Sequence, residues 1–245
     1  MSLRRTLATA LRVLKQLRHD HRTLALIFLM PSVLIIVLRY VFHENQVVFL
    51  SIAPLLLGIL PFVLMFIISS IAVLRERSSG TLERLLVSPA TRLDIIMGYA
   101  TAFALIALVQ AGIASFVTLV LLDVPVAGST AILLLCAVLS GVLGMAFGLL
   151  FSSFARSEFQ AVQFMPAFVL PQFLTCGLFV PRDQMHQALQ YFADIMPITY
   201  VVDALKQVQI TAGVSQALRT DLYILAGFIV LALVLGAISL RPAGK

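Results

Sequence analysis

The sequence predicts an all-α membrane protein of six transmembrane helices. To these it adds an N-terminal interfacial amphipathic helix, a cytoplasmic surface helix between spans 2 and 3, and an outer re-entrant hairpin between spans 5 and 6. Three observations predict this class. Hydrophobic residues make up 61% of the chain and charged ones 11%, with a mean hydropathy of +1.06, too apolar for a soluble domain. Two runs, Val47 to Leu74 and Tyr99 to Leu122, carry no charged residue. Each exceeds the roughly 20 helical residues that cross a hydrocarbon core. Basic residues cluster at the N-terminus and between these runs, so the net charge of +6 reads as topology and contact with anionic lipid, not as a nucleic-acid partner.

Residues 1–22 predict a helix lying in the membrane interface. Leu3, Leu7, Leu11, Leu14 and Leu17 form one face, while Arg4, Arg5, Arg12, Lys15, Arg18 and Arg22 reach headgroups. The basic segment is too long for a signal peptide, and no small-residue cleavage site follows the first apolar run. The first span runs from Thr23 to about Phe42, with Pro31 as a kink. Arg39 near its outer end is expected to snorkel or to pair with Glu44. After a short outer loop, His43 to Gln46, the second span covers Val47 to Leu74. It is longer than a perpendicular crossing needs, so it must tilt, kink or project beyond the membrane. Pro54 and Pro61 fall on one face and bend it there.

The polar stretch Arg75 to Gly98 separates the two uncharged runs. Arg75, Arg77, Arg84 and Arg92 place it on the cytoplasmic side, because short loops rich in Lys and Arg stay inside. Thr81 is suited to cap a helix, and Glu83 then meets the positive end of its dipole. Leu82, Leu85 and Leu86 recur at helical spacing, and Pro89 ends the segment. Thr91 caps the next helix, with Asp94 completing a short capping box. A helix of about two turns is marginal in water, so this one must pack against something.

The third span runs from about Ile95 to Leu122, the outer turn from Asp123 to Ser129, and the fourth span from Ala131 to Phe154. Gly144 and Gly148 let another helix approach closely; packing within the same bundle is favoured over a contact between copies. A short inner loop, Ala155 to Glu158, leads to a fifth span ending near Phe179 and punctuated by Pro166 and Pro171. Met165, Phe168 and Gln172 share one face, with Gln160, Gln163 and Phe164 beside them. Soft, aromatic and amide side chains would suit a path for bulky apolar molecules; ordinary packing uses them too. Between residues 181 and 219, two amphipathic segments too short to span flank Met196-Pro197-Ile198, which suggests the hairpin. Asp194, Asp203 and Lys206 are expected to keep the other faces wet. A sixth span, about Leu222 to Leu240, ends in Arg241 and Lys245, so an even count leaves both termini cytoplasmic. Cys136 and Cys176 fall inside apolar runs and are expected to be buried structural thiols.

Glu76-Arg77-Ser78-Ser79-Gly80-Thr81-Leu82-Glu83-Arg84-Leu85-Leu86, followed by Ser88-Pro89, resembles the loop between spans 2 and 3 of ABC-2 type permeases, the membrane subunits of ATP-driven exporters. The run Cys176 to Met185, then Pro197 to Leu205, is similar to the same family, with Cys176 and Lys206 as mild departures. The resemblance covers nearly the whole chain: an elbow helix at 1–22 and a transmembrane domain at 23–245, with a coupling loop at 75–94 and an outer hairpin at 181–219. It implies that the loop docks on a separate ATPase subunit through Glu76, Arg77, Gly80, Thr81, Leu82, Glu83, Leu85, Leu86 and Pro89. It implies a substrate path along spans 2 and 5, for which Pro61, Met65, Gln163, Phe164, Phe168 and Gln172 are candidates. It implies an outer gate at Pro181, Met185, Pro197, Thr199, Tyr200 and Asp203. The implied partners are two ATPase subunits carrying ATP and Mg, a second permease copy or a related permease, and membrane lipids, all in a bacterial inner membrane.

The chain has no phosphate-binding loop, no metalloprotease motif and no paired-cysteine motif, so no cofactor, metal or catalytic residue is expected on it. Carboxylates are nearly absent from span interiors, which disfavours a proton-coupled carrier. The expected cargo is hydrophobic or amphipathic, drug-like or lipid-like; lipid-linked polysaccharide is the alternative.

Overall fold

The computed structural model describes residues 2–81, 87, 91–155 and 157–239. Among them are nine α-helices and no strand: α1 (Leu3–His19), α2 (His21–Val41), α3 (Gln46–Ser78), α4 (Arg92–Phe116), α5 (Thr130–Ser152), α6 (Glu158–Thr175), α7 (Gln187–Ile195), α8 (Pro197–Ile210) and α9 (Gln216–Ser239). A π-helical turn, Val117–Leu121, continues α4, and a 3-10 turn, Arg182–Gln184, precedes α7. Five helices are long and apolar enough to cross a membrane: α2, α3, α4 with its continuation, α5 and α9. The predicted fifth span, α6, is not among them. Glu158, three glutamines and two prolines dilute its 18 residues. It still joins the two ends of the bundle. Glu158 pairs with Arg75 near the end of α3, while Gln172 Oε1 accepts from the Ile198 amide of α8. The side chains of α8 cover Gly58, about 25 Å back along α3 from Arg75.

The central contact is between α3 and α5, and glycine makes it close. A Cβ on Gly144 would run into the Phe62 backbone, and one on Gly148 into the Phe66 carbonyl and the Ser69 hydroxyl. The pair therefore serves packing within the chain, as its spacing predicts. Two hydroxyls stitch the same interface: Ser69 donates to the Met145 carbonyl at 3.1 Å and Ser140 to the Gly58 carbonyl at 2.7 Å. The prolines of α3 are accommodated inside it. Pro54 cannot donate to the Leu50 carbonyl four residues back. Gln209 of α8 fills that vacancy, its Nε2 lying 2.8 Å from the Leu50 oxygen. The turn at 123–129 docks on α8 as well, with the Ala127 and Gly128 amides donating to the Gln209 and Val208 carbonyls.

Helix α1 has the predicted amphipathic form with a third face. Leu3, Leu7 and Leu11 point outward, whereas Thr6, Thr9, Ala10 and Val13 are buried against the bundle. Thr6 and Thr9 sit on Gly98 of α4. Arg12 does not reach for headgroups; it turns inward, as described below. Arg39 forms no ion pair with Glu44 among the described residues; its guanidinium lies over the Phe49 ring, 5.3 Å from the centroid. Cys136 and Cys176 are free and buried, as expected.

Candidate functional site

The last described turns of α3 carry Arg75-Glu76-Arg77 beyond the apolar run. Successive residues on a helix step by about 100° around its axis, so these three point to different neighbours. Arg75 grips Glu158 at the start of α6 with two bonds of 2.9 and 3.2 Å. Arg77 donates to the Ser153 carbonyl at the end of α5, at 3.2 Å. Glu76 receives the Arg12 guanidinium of α1 at 2.7 and 3.1 Å, and the Tyr99 hydroxyl of α4. One turn of α3 is thus tied to four other helices. The helix then stops where Gly80 adopts a left-handed φ of +70°, a conformation that a side chain disfavours.

The Glu76 pair is the enclosed member. Glu76 is 6% exposed and Tyr99 1%. A buried carboxylate is tolerable only when paired and hydrogen-bonded, which Arg12 and Tyr99 together provide. The Arg75–Glu158 pair is more than half exposed on the arginine side and contributes little stability. Helix α1 is tied at its start as well as at Arg12. The Ser2 amide donates to Asp94 Oδ1 at 2.8 Å, and Asp94 also closes the capping box with Thr91. That box is the predicted one, with both reciprocal bonds present. A groove of about 320 Å³ between α1 and the end of α3 is lined by Gln16, Asp20, Arg75, Glu76, Ser79 and Thr81. The Thr23 hydroxyl and amide hold the Asp20 carboxyl below its usual range.

Of the residues expected to meet an ATPase, Arg77, Gly80 and Thr81 lie at the root of the loop, with the Thr81 hydroxyl 3.0 Å from that of Ser79. Leu82, Glu83, Leu85, Leu86 and Pro89 lie outside the described residues. Glu76 does not face outward for direct contact; its carboxylate is enclosed by Arg12 and Tyr99. Sequence reasoning missed Arg12, Tyr99, Ser153 and Glu158. A lone tyrosine hydroxyl opening an uncharged run was the one available signal.

The path candidates do not form one surface. Pro61 and Met65 are buried beside Gly141 of α5. Phe168 packs among Phe66, Phe147 and Phe151, with centroids 6.2, 5.0 and 4.8 Å away. Phe164 joins them through Phe151, and Gln172 is fully buried with its Nε2 on the Phe168 carbonyl. Gln163 alone is exposed. A buried amide must be hydrogen-bonded, and Gln172 is, at both its nitrogen and its oxygen.

At the other end, Pro197 starts α8 and closes the short hairpin with α7. Thr199 and Tyr200 hydroxyls donate to the Ala193 and Asp194 carbonyls at 2.7 and 2.6 Å. Arg182 bridges Asp194 at 3.2 Å and Asp203 at 2.5 Å. Lys206 donates to the Gly177 carbonyl at 2.5 Å. Asp203 and Lys206 therefore do not wet a free face; they hold the connector from α6. Burial raises the Asp203 carboxyl above the usual range, although Arg182 and Lys206 oppose it. Pro181 is exposed and Met185 half-buried beside this cluster. Among the described residues, no cluster of His, Cys, Asp or Glu could hold a metal.

Comparison with known proteins gives a family profile described as "ABC-2 type transporter" that matches residues 4–210. The chain is 34% identical over 157 residues to "Probable multidrug ABC transporter permease YbhR" of Escherichia coli K12, covering 64% of this chain and 43% of that protein. It is 33% identical over 141 residues to "Inner membrane transport permease YhhJ" of the same strain, covering 57% and 37%. With "ABC transporter G family member 20" of Dictyostelium discoideum it shares 24% identity over 158 residues, 64% of this chain and 22% of that protein. The matches thus span half or less of these relatives' own length.

Proposed function

This chain belongs to the ABC-2 type transporter family, and from that membership we propose that it is the permease subunit of an ATP-driven exporter. ATP and Mg act on two separate ATPase subunits, and a second permease, identical or related, completes the membrane part. The loop at 75–94 is the element the ATPase moves. The observation that carries this reading is the root of that loop: Arg75 and Arg77 bond one neighbouring helix each and Glu76 bonds two, so displacement of the loop is delivered to α1, α4, α5 and α6 together. Such a root is what a transmitted push requires.

In this reading α6 is the sixth crossing. Its 18 residues give about 27 Å, close to the hydrocarbon thickness, and its glutamines are sheltered by the bundle or by the second permease. The loop and both termini face the cytoplasm of a bacterial cell, and the hairpin of α7 and α8 closes the path outside. The cargo is hydrophobic or amphipathic.

The test is transport in inside-out vesicles of the native host carrying the tagged chain. ATP-dependent uptake of a hydrophobic dye, abolished by vanadate and insensitive to a protonophore, is expected, together with co-purification of an ATPase. Uptake that ignores vanadate and collapses with the proton gradient would overturn the proposal.

A further inference from the structure

We propose that the groove between α1, α2 and α4 binds an anionic phospholipid, its acyl chain in the groove and its phosphate on Arg18. The inference needs only that α2 and α4 cross a membrane, and it stands apart from the exporter role. The groove has a volume of about 240 Å³. Leu24 and Phe28, one turn apart on α2, form one wall, and Leu105 and Val109, one turn apart on α4, form the other. Leu17 and Arg18 at the end of α1 close the top. Arg18 is thus the one polar side chain lining it.

Two features select the occupant. Both walls stand on spans, and Leu105 and Val109 are 47% and 50% exposed, so the trough opens sideways into hydrocarbon. Left unfilled, its lining would lose dispersion contacts, which a flexible acyl chain restores. The headgroup end is positive. Arg18 is exposed and has no acidic partner among the described residues; nearby Asp20 is engaged by Thr23 at 3.1 and 2.6 Å. An arginine at the top of an apolar trough matches the phosphate of a diacylglycerol phospholipid, and a net negative headgroup is favoured over a zwitterionic one.

The experiment places the full chain in nanodiscs of equal phosphatidylglycerol and phosphatidylcholine. A trace of either lipid carries a diazirine in its acyl chain, and crosslinked peptides are mapped by mass spectrometry. The phosphatidylglycerol probe is expected to label the α2 and α4 walls about five-fold more than the phosphatidylcholine probe. Arg18→Gln should abolish that preference and Arg18→Lys should keep it. Val109→Trp, which fills the trough from its exposed side, should remove labelling of Phe28 and Leu105 by both probes. Labelling at exposed Val230 and Val234 of α9 should be unchanged and reports that the fold is intact. Equal labelling of the walls by the two probes, wall labelling no denser than on α9, or no effect of Val109→Trp would each overturn the proposal.

Discussion

Arg12→Ala would leave Glu76 enclosed with only the Tyr99 hydroxyl for company. Stripping one partner from a buried pair costs about 3–5 kcal/mol, and the lower end applies because the Arg12 side chain keeps 27% exposure. A lower midpoint in thermal unfolding of the detergent-solubilised chain is the expected result. Arg12→Met combined with Glu76→Leu should regain most of that loss, since no charge is stranded. Gln110 makes the opposite case. It is fully buried, and both of its amide atoms lack a partner among the described residues. Gln110→Leu is expected to be neutral or to raise stability by about 1 kcal/mol in the same melt, because an unpaired amide is costlier than an aliphatic chain of similar size. The capping box of Thr91 and Asp94 was legible because it is local. The Arg12–Glu76 pair was not, since 64 residues separate the partners and several other arginines on α1 have the same local pattern.

Elements were legible wherever hydropathy alone decides them. The spans at α2, α3, α4, α5 and α9 and the short hairpin follow from run length. The lining of a path did not, because Pro61, Met65 and Phe168 suit both a surface and a core; the approach of α5 to α3 buries Pro61 and Met65, while Phe168 of α6 packs half-buried against rings of both. That approach is testable. Gly144→Val should separate the two helices and cost about 1–3 kcal/mol or prevent folding, read as loss of a monodisperse peak in gel filtration. The Pro54 device allows a sharper test. Gln209→Leu strands the Leu50 carbonyl and should destabilise by about 1 kcal/mol. In the background of Pro54→Ala, where α3 supplies its own donor, the same change should cost much less. A double-mutant cycle measured by unfolding in mixed micelles checks this, and additive effects would refute it.

At the scale of the molecule, the family could be read from two motifs and their order among the apolar runs, and the all-helical, multi-span class from the runs themselves. The mechanical wiring could not, because it depends on which helices meet. Arg75→Ala isolates wiring from stability. The exposed pair with Glu158 is worth less than about 1 kcal/mol, so the melt should hardly move. Vesicle transport per ATP consumed should fall if α6 is driven through this contact; unchanged coupling would leave α6 passive. Ser2 bonds Asp94, and Gly236 near the end of α9 lies beside Ile96 and Leu150, so the first and last helices converge on the same turn of α4. Spin labels placed on these two helices near that turn should therefore lie within range of a pulsed distance measurement, whose reading would follow any shift of one helix against the other.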